Sequence, residues 1–131
     1  MSILVDTNVL TELARPRPDP RVVEWAGGLS SVILSAVTIE EVFFGLSAKP
    51  SPRIGRWFED FLDSDCRVLE VTTPIARHAG ILRDQLARRG RPRTQADMLI
   101  AATAALHGLT LATRNERDFK DCGVTVINPF A

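Results

Sequence analysis

Five short runs of apolar, largely β-branched residues set the frame for this chain, at positions 2–5, 32–34, 68–71, 109–112 and 124–127. Each is continuous rather than alternating, as in strands covered on both faces, and longer segments with helical spacing separate them. Such a chain is expected to form an α/β domain around a mostly parallel, five-stranded sheet. The first helix is expected just after Asp6 and to end before Pro16, because Arg15 precedes a proline and the Arg-Pro-Arg-Pro-Asp-Pro stretch cannot continue it. Positions 22–25 restart a helix. A longer one runs over 35–48 and stops at Lys49-Pro50-Ser51-Pro52; the next carries Ile54, Trp57, Phe58, Phe61 and Leu62 on one face and ends near Asp63. Pro74 suits the first turn of a helix carrying Ile75, Ala79, Leu82 and Leu86 that stops at Gly90, and a last helix over 94–107 is closed by Gly108. No repeat, low-complexity tract or long linker divides the chain, so residues 1–131 read as a single domain.

With 131 residues, 45% of them hydrophobic, the chain can bury roughly two-thirds of the surface its unfolded form exposes, enough to fold without a disulfide or a structural metal. Cys66 and Cys122 form no CxxC pair and read as free thiols of a reducing compartment. No apolar stretch approaches the ~20 residues that span a bilayer, and Asp6 follows Met1 too closely for a signal-peptide core, so a cytoplasmic location is expected. The 16 basic and 16 acidic side chains cancel, so nucleic acid would have to be met by a local patch rather than by overall charge.

Four acids stand at the ends of elements: Asp6, Glu41, Asp97 and Asp118. Asp6 ends the first run, at the carboxyl edge where open parallel sheets bind ligands; alternatively it, or Thr7 beside it, caps the helix that follows. Asp97 lies over Ile100, Ala101 and Ala104 on a helix apolar nearly all round, so it is expected to be buried and to need a partner. The helix dipole contributes only ~0.3–1 kcal/mol at an exposed end, which is small against the cost of burying a charge. Glu41 has two readings. Thr38-Ile39-Glu40-Glu41 matches a capping box, but if Ser35 is the cap, Glu41 lies a turn further in and is free to face a site, with Glu40 as its solvated neighbour.

Asp118 falls in a polar turn after the fourth run, again at the carboxyl edge. None of the four has a cation fixed beside it by sequence, and carboxylates crowded in one cleft stay ionised only with cations among them. Hard Mg²⁺ or Mn²⁺ suits an all-oxygen site. His78 and His107 have no ligand spacing, and the chain contains no Walker loop, G-x-G-x-x-G or G-x-S-x-G. Metal-assisted chemistry is the catalytic option that several residues support.

Four segments carry a family resemblance: Leu4-Val5-Asp6-Thr7-Asn8-Val9-Leu10, Ser35-Ala36-Val37-Thr38-Ile39-Glu40-Glu41-Val42, Ala96-Asp97-Met98-Leu99-Ile100-Ala101-Ala102-Thr103-Ala104 and Leu111-Ala112-Thr113-Arg114-Asn115-Glu116-Arg117-Asp118-Phe119. In this order and at these separations the chain resembles the PIN-domain toxins of VapC type, and especially the FitB-like branch, with Arg21-Val22-Val23-Glu24-Trp25 and Asn128-Pro129-Phe130 adding to the likeness. The resemblance implies a PIN-like three-layer α/β/α fold and an Mg²⁺- or Mn²⁺-dependent endoribonuclease. Asp6 and Asp97 would be the principal ligands and Glu41 the third acid. It also implies a toxin of a type II toxin–antitoxin system, inhibited by a cognate antitoxin, and a homodimeric core. FitB-like members have an acid directly after Thr-Arg, where this chain has Asn115; many VapC relatives share its Thr-Arg-Asn-x-x-Asp-Phe form, which favours Asp118 over Glu116 as the fourth acid. Asn8, Thr113 and Asn115 would supply hydrogen bonds around the ligands.

The densest basic cluster is Arg88-Arg89-Gly90-Arg91-Pro92-Arg93, directly before the helix that carries Asp97. Arg88 and Arg89 complement a helix end and the rest reads as a solvated loop, unless the group binds phosphates beside the acidic cleft. Arg89, Arg91 and Arg93 are the RNA-contact candidates, and Arg114 extends the track. Val42-Phe43-Phe44 is too broad for one helical face, so part of it is expected to stay exposed for a partner. The competing class is a non-catalytic PIN-like interaction or nucleic-acid-binding domain, in which the same acids are caps and ion-pair partners. A phosphohydrolase would want D-x-D where Asp6-Thr7-Asn8 stands, and a response regulator an Asp after the third run, where Thr72-Thr73-Pro74 follows.

Overall fold

The computed structural model describes residues 2–64 and 66–131. In chain order the elements are β1 (Ile3–Val5), α1 (Thr7–Leu13), α2 (Pro20–Gly27), β2 (Val32–Ser35), α3 (Ala36–Ala48), α4 (Pro52–Leu62), β3 (Cys66–Leu69), α5 (Thr73–Arg88), α6 (Gln95–His107), β4 (Thr110–Ala112), a 3₁₀ turn (Glu116–Phe119) and β5 (Val126–Ile127). The strands form one sheet in the order β3-β2-β1-β4-β5, and every pairing is parallel. The chain builds outward from β1 through β2 to β3, then crosses back to lay β4 on the other side of β1. The strand order therefore reverses between β1 and β4, and open α/β sheets open a crevice at such a point.

Neighbouring residues of each inner strand feed opposite cores. Leu4, Ile33 and Leu111 pack with α5 and α6 through Ile75, Leu82, Leu86, Met98 and Ile100. Ile3, Val5, Leu34 and Ala112 pack with α1 to α4 through Val9, Leu10, Val22, Val42 and Phe58. The result is three layers, helix on sheet on helix, and it explains why the inner runs are apolar without alternation. Helix ends fall where local chemistry puts them. Pro20, Pro52 and Pro74 sit in first turns, and Gly108 takes the left-handed conformation, φ 65°, that closes α6. Buried Glu12 holds the proline-rich stretch to α1, accepting the Asp19 N–H at 2.8 Å and pairing with Arg15 at 3.1 Å.

The third strand lies earlier than the apolar run at 68–71 predicts. Val32 of β2 pairs with Cys66, which sets the register of β3, and Val71 falls beyond the last pair. As an edge strand, β3 leaves Val68 exposed, so apolar content is a poor guide to its limits. The other four strands and the helices lie where the sequence puts them, to within a few residues. Both thiols are free, and burial pushes both up, so neither has thiolate character. No helix of the described residues is long and apolar enough to cross a membrane.

Candidate metal centre

Asp6 is the only residue between β1 and α1. Its backbone N–H continues the sheet, donating to the Ala112 carbonyl at 2.9 Å. The two carboxylate oxygens then divide the readings the sequence leaves open. Oδ1 caps α1 by accepting the Thr7 N–H at 2.8 Å, while Oδ2 accepts the Thr113 hydroxyl at 2.7 Å and the Asn8 amide at 3.2 Å. Thr113 follows β4 directly, so its bond to Asp6 spans the point where strand order reverses. Asn8 reinforces that link, donating to Thr113 Oγ1 at 3.3 Å and accepting the Arg114 N–H at 3.1 Å. Asn115 contributes its backbone N–H to Thr113 Oγ1 at 3.0 Å, and its side chain is exposed.

The choice over Glu41 is decided by Ser35, whose Oγ accepts the Val37 N–H at 3.0 Å and caps α3. Glu41 is thus not a capping-box partner. It stands half-buried in the second turn, and its Oε1 accepts the Thr7 hydroxyl at 2.7 Å. The buried Thr38 hydroxyl lies 3.1 Å from that of Thr7. Thr7 has one hydroxyl proton, which goes to the carboxylate, so Thr38 is the donor on its other side. Glu40 is exposed.

Asp97 is half-buried rather than buried as the helix pattern predicts. Met98 and the run from Ile100 to Ala104 fill the core, but Asp97 sits in the first turn, where α6 begins at the rim of the sheet. Its N–H donates to Oγ1 of Thr94, the helix cap, at 3.1 Å. Asp118 lies in the 3₁₀ turn, which is anchored by the buried ring of Phe119 and packs against α6 and β5. Glu116 in the same turn is exposed and accepts a hydrogen bond from the Asn128 amide at 3.1 Å.

Burial pushes the Asp6 carboxyl up to about 6; nearby Asp97 and Glu41 add to the rise, and the bonds from Thr113 and Thr7 oppose it. Asp97 is also raised, first by burial and then by Asp118 and Glu41, against the side chain of Thr94 and the charge of Arg93. The four acids therefore share one electrostatic field at one edge of the sheet. Among the described residues none of them forms an ion pair; the acids that do are Glu12, Asp19, Asp84 and Asp121. No three acids or other ligating side chains converge closely enough, among those residues, to enclose a cation by themselves. An all-carboxylate donor set still fits a hard divalent ion, because Mg²⁺ is commonly held by one or two carboxylates, with waters and substrate phosphates completing the shell.

The arginines divide. Arg88 pairs with Asp84 at 2.8 Å and Arg91 with Asp121 at 3.0 Å, while Arg93 bonds to backbone carbonyls. Arg89 ends α5 with no ion pair among the described residues, and the Arg114 guanidinium lies 4.5 Å from the centre of the Phe130 ring. Sequence alone shows Thr7 and Thr38 only as cap candidates; the bonds of Thr7 to Glu41 and Thr38, and those of Arg93 to the Arg117 and Asp118 carbonyls, join residues 24 to 34 apart and have no local signal. Beside the acids, a groove of about 440 Å³ runs between α3 and α4, with Glu41 on its rim and Leu46, Ile54 and Phe58 in its wall. Phe44 of α3 is 70% exposed and Val42 is buried, as the breadth of that run requires.

A parallel sheet with acids gathered at the reversal of strand order is the frame of a PIN domain, and a family model of that description matches residues 3–124. The chain belongs to the PIN-domain family. It is 35% identical to the VapC ribonuclease Y4jK of Sinorhizobium fredii, with 98% of this chain and 97% of that protein covered. It is also 35% identical to the toxin FitB of Neisseria gonorrhoeae, covering 98% of each. Among solved structures, a toxin–antitoxin complex from Klebsiella pneumoniae contains a chain that superposes with a TM-score of 0.75 at 28% identity, over 98% of both chains.

Proposed function

We propose that this chain is the toxin of a type II toxin–antitoxin pair, an endoribonuclease that hydrolyses RNA phosphodiester bonds with Mg²⁺ or Mn²⁺. The supporting observation is the set of four carboxylates at the carboxyl edge, sharing one field with no cation paired to any of them among the described residues. The names of the relatives, a ribonuclease and a toxin, agree with that chemistry. Asp6 and Asp97 would hold the cation, with Glu41 and Asp118 completing the site. When bound, a divalent ion lowers the pKa of a water and offsets charge developing on the phosphate.

The residues around that ion have separable tasks. Thr113 and Asn8 fix Asp6 Oδ2, and Asn115 braces Thr113, so Asp6 is rigid before any ligand arrives. Thr7 orients Glu41, leaving Oε2 to accept a hydrogen bond from water. The phosphates of the RNA are assigned to Arg114, which lies over Phe130, and to Arg89, which forms no ion pair among the described residues, with Arg91 and Arg93 adding positive charge. The groove at α3 and α4, with exposed Phe43 and Phe44 beside it, suits an apolar segment of an antitoxin. Exposed Ile81 and Leu106 on α5 and α6 support a homodimer. The reading implies work in the cytoplasm, where the RNA is.

The test is incubation of the purified chain with total cellular RNA, with Mn²⁺ or with a chelator, followed by mapping of the ends. Discrete new ends that need the metal support the reading. RNA left intact under both conditions would return the chain to the non-catalytic class.

A further inference from the structure

Arg91 and Arg93 lie in the basic loop, yet both are already engaged with the turn that carries Asp118. Arg93 Nε donates to the Asp118 carbonyl at 3.1 Å and Nη2 to the Arg117 carbonyl at 3.3 Å, a fork across two successive peptide groups. Nη1 donates to the Pro92 carbonyl at 3.2 Å, so all three guanidinium nitrogens are in use. Two residues earlier, Arg91 pairs with Asp121 at 3.0 Å. Asp121 has φ 62°, a left-handed backbone that a non-glycine residue holds only when its surroundings enforce it. On the other side, Arg93 is followed by Thr94, the cap of α6, whose hydroxyl receives the Asp97 N–H at 3.1 Å. One short path therefore links the backbones of the two acids: the Asp118 carbonyl, the Arg93 guanidinium, the Thr94 hydroxyl and the Asp97 amide.

We propose that Arg93, backed by Arg91, is a positioning residue that fixes the separation of Asp97 and Asp118 by clamping the 3₁₀ turn to the start of α6. This rests on the reading of those two acids as parts of a cation site. Without the fork, the turn's polar bonds are mostly local: the Asp118 N–H to the Asn115 carbonyl at 3.0 Å and the Lys120 N–H to the Arg117 carbonyl at 3.3 Å. Phe119 anchors the turn in the core and Glu116 ties its start to the Asn128 amide at 3.1 Å, so the fork is what holds the Arg117 and Asp118 carbonyls to the segment that leads into α6. A planar guanidinium suits this task, because it can donate two near-parallel bonds to adjacent carbonyls.

A phosphate contact and a clamp make opposite demands on Arg93→Lys, which keeps the charge and loses the fork. Wild type, Arg93→Lys and Arg93→Gln should be compared by amide hydrogen exchange over residues 116–122, by calorimetric titration with Mn²⁺, and by kcat and KM for RNA cleavage. The clamp predicts faster exchange in both variants, Mn²⁺ affinity lower by about tenfold, and a loss in kcat with KM little changed. Arg93→Lys should be no better than Arg93→Gln, and should Arg93→Gln fail to fold, Arg93→Lys decides by the same criteria. Variants that match a Mn²⁺-binding wild type in exchange and affinity would overturn the proposal alone. A wild type that binds no Mn²⁺ would overturn the functional reading, and this proposal with it.

Discussion

Asp6 shows how one side chain can serve fold and function at once, because its two oxygens have different neighbours. Its folded pKa of about 6 lies above the ordinary 3.8, so the native state binds the proton more tightly than the unfolded chain does. Ionising it therefore costs stability: nothing below pH 3.8, an increasing amount between there and about 6, and the full amount above. A shift of that size corresponds to up to about 3 kcal/mol. Asp6→Asn, which keeps a good helix cap, is expected to be more stable than wild type at pH 8 and no more stable near pH 4. Denaturant melts at the two pH values check this, and a variant less stable at both would contradict it. Mn²⁺ needs the ionised form, so its affinity should fall as pH drops through about 6. Glu41→Gln separates site from scaffold. Because Ser35 caps α3, the variant should melt within a few degrees of wild type while cleavage falls at least 100-fold, beyond the roughly 10–100-fold typical of an outer hydrogen-bond partner.

The elements that carry the site leave the sheet without a loop: Asp6 joins β1 to α1, and Ser35 ends β2 while capping α3. Ser35→Ala should cost about 1 kcal/mol and let the first turn of α3 fray, lowering the melting temperature by several degrees and weakening cleavage through Glu41. Circular-dichroism melts beside the cleavage assay check it; an unchanged melting temperature would show that packing, not the cap, starts the helix. These junctions were legible because an apolar strand followed by Asp or Ser and then helical spacing is a local pattern. The edge strand β3 was not, since its limits come from pairing with Val32 to Ser35 rather than from its own apolar content. The apolar pattern puts Asp97 on its helix, but how deeply it is buried depends on where α6 meets the sheet rim, which no window of sequence contains. The same holds for Thr7 with Glu41 and for Arg93 with the 3₁₀ turn: the partners are far apart in the chain, and serine-like and arginine side chains have many local alternatives.

On the scale of the whole molecule, zero net charge conceals an acidic edge with arginines beside it. RNA binding, read on an Asp97→Asn background, should weaken with salt, and Arg89→Ala or Arg114→Ala should each lower the slope of log affinity against log salt by about 0.7–0.9. Identical slopes would make those arginines ordinary surface charges. Mn²⁺ should also raise the melting temperature of the wild type, since a ligand that binds only the folded state stabilises it. The claim on which everything else depends is that the acids act by holding a divalent cation. The most direct measurement is single-turnover cleavage of RNA by wild type and by Asp97→Asn across a Mn²⁺ series. Saturable, metal-dependent cleavage is expected from the wild type and none from the variant, which stays folded. Equal cleavage by both, or cleavage by the wild type that persists in excess chelator, would contradict it.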